Sequence, residues 1–307
     1  MSAPPAVSVV LVTYNYAHDI DEAICSVLAQ THKDLELIIV DDGSTDGTPE
    51  KLERGLERDA QRIRVIRHGA NRGMAAAYAS AIAAVRADVV AFIEADDAWG
   101  PRNLELKLQV LERHPEVGVV YGRYEPFGHP GGVLYWRLFD WANALSLPSG
   151  RPLRVWPVYL KRNPVASFTH FIVRRALLES VPPLGCHRGN LDWWILAHVS
   201  AQAYFWRVPG KPTRWRIHAH SAAFGPVDVR RIWKLKVFLS RLCRSFARSA
   251  AGSRWVSAPE LEGALRFQGV CDSRDARSIA LYALARPLAT LRFLAHVLLR
   301  NLLLWKA

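Results

Sequence analysis

The chain has 307 residues, 50% of them hydrophobic and 22% charged, with a formal net charge of +12 and a pI of about 9.9. This composition excludes a disordered, fibrous or disulfide-framework protein and fits one large domain or two small ones. Basic residues dominate from Arg151 onward while the acidic clusters precede Gly100, which argues against a uniformly basic nucleic-acid binder and leaves a phosphorylated substrate or an anionic membrane as partner.

Val7 to Val12 is apolar and largely β-branched, the pattern of a strand buried on both faces. Ile24, Val27 and Leu28 share one face of a helix predicted over Ile20 to Gln30. Leu35 to Val40 is the second predicted strand. Thr48 is the expected N-cap of the next helix, with Pro49 at its first position and Glu50 in its first turn. A short strand over Ile63 to Ile66, an alanine-rich helix over Gly73 to Arg86, a strand over Val89 to Ile93, a helix over Pro101 to His114 and a strand over Val117 to Tyr121 follow. This alternation predicts a doubly wound α/β unit over about 6–121.

Gly122 to Asn163 loses the rhythm and is expected to form irregular loops over the site. Strands are predicted at Thr169 to Val173, Tyr204 to Val208 and Thr213 to Ile217, with a helix at Leu191 to Val199. Val229 to Ala250 and Asp275 to Trp305 are predicted helices. The expected division is therefore 1–225 for the main domain, with halves at about 6–121 and 122–225, and 226–307 for a basic helical extension. Cys25, Cys186, Cys243 and Cys271 form no C-x-x-C pair and are expected to be free thiols in a reducing cytosol. No signal peptide is expected at the N-terminus, and no apolar run reaches the roughly 18 residues of a spanning helix.

Two carboxylate clusters carry the chemistry. Asp41-Asp42-Gly43-Ser44-Thr45-Asp46 ends the second strand and Glu94-Ala95-Asp96-Asp97 ends the strand from Val89. Parallel strands bring such ends to one sheet edge, where open α/β sheets bind ligands. Packed carboxylates repel unless a cation or a hydrogen-bond donor offsets them, and a divalent metal on a diphosphate, or a nucleobase N–H, supplies one.

With Val9-Val10-Leu11-Val12-Thr13-Tyr14-Asn15, Gln30-Thr31, Leu191-Asp192-Trp193-Trp194 and Arg216-Ile217-His218-Ala219-His220-Ser221, these blocks resemble the family 2 glycosyltransferases in order and spacing over roughly Val7 to Ser221. The resemblance implies a GT-A fold, a mostly parallel nucleotide-binding sheet flanked by helices. It implies an inverting, metal-dependent transferase that moves a sugar from a nucleotide-sugar, a UDP-sugar by preference, to a glycan or lipid-linked hydroxyl. Asp42 would accept the uracil N3–H, an acceptor-only carboxylate suiting an imide donor. Thr13, Tyr14, Asn15, Asn71, Gly73 and Asp96 would border the nucleotide-sugar. Asp96, Asp97 and His218 would hold Mg²⁺ or Mn²⁺, with Glu94 where the family pattern begins with Asp. Asp192 would be the general base, Leu191 standing where an acidic residue often precedes it. Tyr78 and Ala79 stand where the family often carries an Arg-Asn pair, so one phosphate or base contact is either missing or supplied by Arg72, and Arg216 is a second candidate for phosphate.

Beyond Pro226, Leu281, Leu284, Leu288, Leu291, Ala295, Leu298, Leu302 and Trp305 recur at helical spacing, and Arg230, Arg231, Lys234, Lys236, Arg241, Arg244 and Arg248 form a basic segment. The pattern predicts peripheral attachment to the cytoplasmic face of an anionic inner membrane, where a polyprenyl-linked acceptor of an envelope pathway is presented. The other reading of the stripe is packing on the protein's own core or a second subunit. Two further functions compete. A sugar nucleotidyltransferase wants a Gly-rich basic loop after the first strand, and Thr13-Tyr14-Asn15-Tyr16-Ala17-His18 stands there instead. A non-catalytic nucleotide-sugar-binding relative is suggested by Glu94 and Leu191 and opposed by the presence of Asp97 and Asp192.

Overall fold

The computed structural model describes residues 4–160, 162–183, 190–218, 229–250, 256–257 and 259–262. The predicted helix at Asp275 to Trp305 with its leucine stripe, Cys186, Cys271 and residues 219–221 lie outside them.

The core is an eight-stranded sheet in the order β3-β2-β1-β4-β9-β6-β10-β8. Its strands are β1 (Val7–Thr13), β2 (Leu35–Asp41), β3 (Ile63–Arg67), β4 (Val89–Glu94), β6 (Val117–Tyr121), β8 (Pro152–Leu153), β9 (Phe171–Arg174) and β10 (Tyr204–Arg207). Pairs β1–β2, β1–β4, β2–β3 and β6–β10 are parallel, whereas β9 runs antiparallel to both β4 and β6 and β8 antiparallel to β10. The strand order therefore reverses between β1 and β4, the crevice where an open sheet places a ligand. Register puts Thr13 opposite Asp41 and Val12 opposite Glu94, so both acidic clusters emerge on that edge.

Helices α1 (Ile20–Leu28), α2 (Thr48–Arg58), α3 (Met74–Ala83), α4 (Asn103–Arg113), α7 (Arg175–Leu178) and α8 (Leu191–Ser200) connect or cover the strands. Two apolar clusters result, one on each face. The first holds Val10, Ile38, Phe92, Phe168 and Phe171, and the second Val9, Leu11, Ile39, Leu104 and Leu108. Alternation along β1 sends Val10 to one face and Val9 and Leu11 to the other, which is why Val9 to Val12 reads as an unbroken apolar run.

Three local expectations change. Thr48 is the first helical residue, after Gly47 as N-cap. Its amide donates to Asp46 Oδ1 at 2.9 Å while its hydroxyl accepts from the Tyr16 amide at 3.0 Å. The alanine-rich helix begins after Gly73, whose φ of +89° is left-handed and suits glycine. Within Gly122 to Asn163, residues 122–160 hold regular elements rather than irregular loops alone. These are β7 (Tyr124–Gly128), the 17-residue α5 (Pro130–Ser146), β8 and α6 (Trp156–Tyr159). Helix α5 carries large apolar side chains on two opposed faces, so its sequence shows no one-sided period.

A second sheet, in the order β5-β11-β7, joins β5 (Ala98–Trp99), β11 (Thr213–Ile217) and β7. It lies directly after the Asp96-Asp97 pair and brings the end of β11 to it. Helix α9 (Val229–Ala250) packs on the main body: Phe238 tilts against Trp193 at 5.1 Å, and Cys243 and Phe246 are buried with Trp156 and Leu160. His198 and Ser245 are 2.9 Å apart across this contact. Cys25 and Cys243 form no disulfide among the described residues. Among the described residues no helix is long and apolar enough to cross a membrane.

Candidate active site

Asp42 follows the last residue of β2 and is 2% exposed. Its Oδ1 accepts from the Arg72 amide at 3.0 Å and lies 2.6 Å from His68 Nδ1, and its Oδ2 accepts from the Gly73 amide at 2.7 Å. The Asp42 amide donates to the Thr13 carbonyl at 2.9 Å. Burial is the largest influence on this carboxyl and pushes it up, but the donors of His68, Arg72 and Gly73 outweigh it and hold it below the ordinary range. A carboxylate offers about four acceptor positions, and three are occupied. Asp42 thus ties the end of β2 to the loop before α3. Tyr14 and Met74 each stand next to a residue that bonds Asp42, and both are exposed apolar side chains. Asn71 and Arg72 are exposed on the same loop.

Thr13 is buried and its hydroxyl finds no partner among the described residues. Asn15, at φ +58°, braces the neighbouring turn: its amide donates to Ser44 Oγ at 2.9 Å and its side-chain oxygen accepts from the Thr45 amide at 2.8 Å.

The β4 end is built differently. Glu94 Oε2 accepts from the Ser167 hydroxyl at 2.6 Å. Burial, then the charge of Asp96, push the Glu94 carboxyl up to about 8, with Asp192 adding in the same direction. Asp96 Oδ2 lies 2.9 Å from His218 Nε2, and this bond is the main reason the imidazole is held above its usual value. The sequence places Asp97 on a metal beside Asp96. The structure buries it instead to 1% exposure, with the Thr169 hydroxyl donating to one oxygen and the Arg216 amide to the other, the latter at 2.9 Å. Burial, Asp96 and Glu94 all push the Asp97 carboxyl well up. Asp97 is the brace that joins the β4 loop to β11. Tyr16 faces the same cluster; burial and the charges of Asp96, Glu94 and Asp97 hold its phenol in the neutral form.

Arg216 is engaged as well. Its Nε donates to the Asp96 carbonyl at 2.9 Å, its guanidinium pairs with Glu22 and lies 3.3 Å from Asp19, and it stacks on Phe127 at 4.6 Å. It holds the β5-β11-β7 sheet against α1.

Asp192 is the second residue of α8, and Asn190, at φ +54°, holds the N-cap position, so Asp192 does not cap the helix. Asn163 Nδ2 donates to Asp192 Oδ2 at 2.7 Å. Burial raises the carboxyl to about 6, against the pull of the Trp193 amide and Asn163. Glu94 and Tyr78 both feel its charge, and Asn163 and Ser167 sit on one segment. The 163–167 segment therefore anchors both carboxylates, Asn163 holding Asp192 and Ser167 holding Glu94.

The structure thus brings Asp96, His218, Glu94 and Asp192 to one side of the crevice and Asp42, Gly73 and Tyr14 to the other. His68, Asn163, Ser167, Thr169 and Met74 belong to the site and carried no sequence signal of their own. Among the described residues no three His, Cys, Asp or Glu side chains converge as a metal cage. The donor set nonetheless suits a hard divalent ion held by one or two carboxylates and a diphosphate: Asp96 and His218 adjoin, and Glu94 and Asp97 crowd the same carboxylate.

Residues 8–181 match the family model for glycosyl transferase family 2. An uncharacterized glycosyltransferase of Nostoc is 42% identical over 115 residues, 38% of this chain and 35% of that protein. The Escherichia coli protein WfgD, named a UDP-Glc:α-D-GlcNAc-diphosphoundecaprenol β-1,3-glucosyltransferase, is 33% identical over 119 residues, 39% of this chain and 46% of that protein. The matched segments thus span about a third to a half of these relatives. Among solved structures, Staphylococcus aureus TarS in complex with UDP aligns at a TM-score of 0.60 and 15% identity, covering 89% of this chain and 73% of that one. The Pyrobaculum calidifontis mannosyltransferase PcManGT, solved with GDP-Man and Mn²⁺, aligns at 0.55 and 18%, covering 98% and 86%. At these identities the likeness establishes the GT-A fold.

Proposed function

The chain belongs to the family 2 glycosyltransferases, and on that premise we propose that it transfers a sugar from a nucleoside-diphosphate sugar, a UDP-sugar by preference, to a hydroxyl of a lipid-linked glycan, with inversion. The observation that carries the reading is the convergence, at the β1/β4 crevice, of a loop fixed by Asp42 with a carboxylate cluster that shares its anchoring segment with Asp192. Donor and acceptor functions both lie within 1–225, with α9 as a buttress.

The nucleotide end falls to Asp42, Tyr14, Asn71 and Gly73. The remaining acceptor position of Asp42 takes an imide N–H, and Tyr14 and Met74 offer apolar faces on either side of the base. UDP in TarS and the UDP-sugar in the name of WfgD support a uracil nucleotide.

Asp96 and His218 would hold Mg²⁺ or Mn²⁺, with Asp97 fixing their geometry from behind. When bound, such an ion neutralises the diphosphate and the charge that grows on it as it leaves. Asp192 accepts the proton of the acceptor hydroxyl as the oxygen attacks the anomeric carbon in line. Its pKa near 6 keeps it ionised at neutral pH yet basic enough to be useful. Asn163 holds the carboxylate in place, and Ser167 holds Glu94 against the crevice wall.

A lipid-diphosphate acceptor is supported by the name of WfgD and by the exposed row Arg241, Arg244 and Arg248 on α9, which suits the cytoplasmic face of an anionic membrane. The test is transfer from UDP-[¹⁴C]glucose and related donors to a polyprenyl-diphosphate sugar, with and without Mn²⁺. Full activity in excess chelator rejects the metal, and product only with soluble glycans rejects the lipid-linked acceptor.

A further inference from the structure

Helix α5 is apolar on two sides. Inward, Tyr135, Trp136 and Phe139 pack with Tyr124, Trp215 and Ile217 of the small sheet, Trp136 lying edge-on to Trp215 at 4.6 Å. That face is complete. Outward, Leu134, Leu138 and Trp141 are 49%, 42% and 59% exposed. They stand at i, i+4 and i+7 and so form one ridge. Of five exposed large apolar side chains among the described residues, these three share one helix, and scattered single exposures would need no explanation where a ridge does.

The charges beside the ridge are paired, and the net charge of the chain selects its partner. Arg137 shares the outward face, paired at 2.6 Å with Glu125. The helix's only acidic residue, Asp140, is turned in and paired at 2.6 Å with Arg123. Leucine and tryptophan with an arginine whose stem can lie along apolar surface is the composition of a helix lying in a bilayer interface. A second copy would bring another +12 charge against the first, whereas an anionic leaflet offsets it. The inward face of α5 rests on the sheet whose strand β11 runs to His218, so the ridge lies one layer from the acceptor side of the crevice.

We propose that Leu134, Leu138 and Trp141 insert into the interfacial layer of an anionic phospholipid bilayer and seat the acceptor side of the crevice on it. The inference rests on the reading of a lipid-linked acceptor and adds the surface that meets the lipid.

The test uses the full chain with phosphatidylglycerol-containing and pure phosphatidylcholine vesicles. The Leu134→Ser/Leu138→Ser/Trp141→Ser variant is expected to lose about tenfold or more in affinity for the anionic vesicles while binding UDP as the wild type does. The milder Trp141→Phe variant, which keeps the packing, is expected to lose part of the fluorescence quenching produced by brominated lipid. Unchanged vesicle binding in the triple variant together with unchanged quenching in Trp141→Phe overturns the ridge and leaves membrane attachment to other surfaces. A wild type that binds no anionic vesicle overturns the ridge and the membrane reading together. A wild-type dimer that becomes monomeric in the triple variant with vesicle binding intact makes the ridge a subunit interface and also overturns the proposal.

Discussion

The ends of β2 and β4 present the same residue type in opposite electrostatic states. Asp42 is as buried as Asp97, yet its carboxyl is held down and that of Asp97 is pushed up. The difference lies in the company. Two backbone amides and an imidazole converge on Asp42, whereas Asp97 and Glu94 share their surroundings with each other and with Asp96. Burial penalises charge at both ends, and only donors reverse it. At the β2 end the protein's own donors thus hold the carboxyl ionised, while at the β4 end crowding of carboxylates works with burial against ionisation.

The largest expected effect concerns the β4 side. Asp192→Asn should lower the transfer rate by about 10²–10⁴-fold, the range of a general base, with UDP affinity unchanged by calorimetry. Transfer at near wild-type rate would remove Asp192 from the role.

The contrast itself is tested by a pair. Asp42→Ala leaves the Arg72 and Gly73 amides and His68 without their acceptor and should cost about 1–3 kcal/mol of stability, with weaker UDP binding. Glu94→Gln keeps the Ser167 bond and fixes the neutral state that burial and Asp96 already favour at this carboxyl, so in chelator its melting temperature should match or exceed the wild type's. Equal losses in both variants would dissolve the distinction.

Lys107, on the helix after the β4 loop, sharpens the same point. It is fully buried, its Nζ has no hydrogen-bond partner among the described residues, and burial lowers it from 10.5 to about 7. Between those values the unfolded chain binds more protons than the folded one, so stability rises with pH across that window. Lys107→Met should raise stability at neutral pH by about 1–3 kcal/mol and flatten the rise, which urea titrations at pH 7 and 9 would measure.

The smallest effect is a shift of a pH profile. Asp192 must be ionised to act, so transfer should fall as pH drops through about 6. Asn163 stabilises the charged form, and Asn163→Ala should move that acid limb upward by a fraction of a unit. A downward move would mean that Asn163 favours the protonated acid.

The sequence by itself determined the nucleotide half. Strands buried on both faces must be continuous apolar runs, and the acidic clusters that end them must meet at one sheet edge once the strands are parallel. Hence β1 to β4 and the meeting of the two acidic clusters were legible in local patterns, whereas the candidacy of Asp42, Asp96, His218 and Asp192 came from the resemblance to the family. What tertiary structure alone decided are the long-range pairings: His68 with Asp42 across 26 residues, Asn163 with Asp192 across 29, and the Arg216 amide with Asp97 across 119. No local period encodes such contacts, and they turned Asp97 into a brace and tied up Arg216. Helix α5 escaped for a related reason. A helix apolar on two sides has no single stripe to reveal it, and only the sheet it packs on shows which face is core.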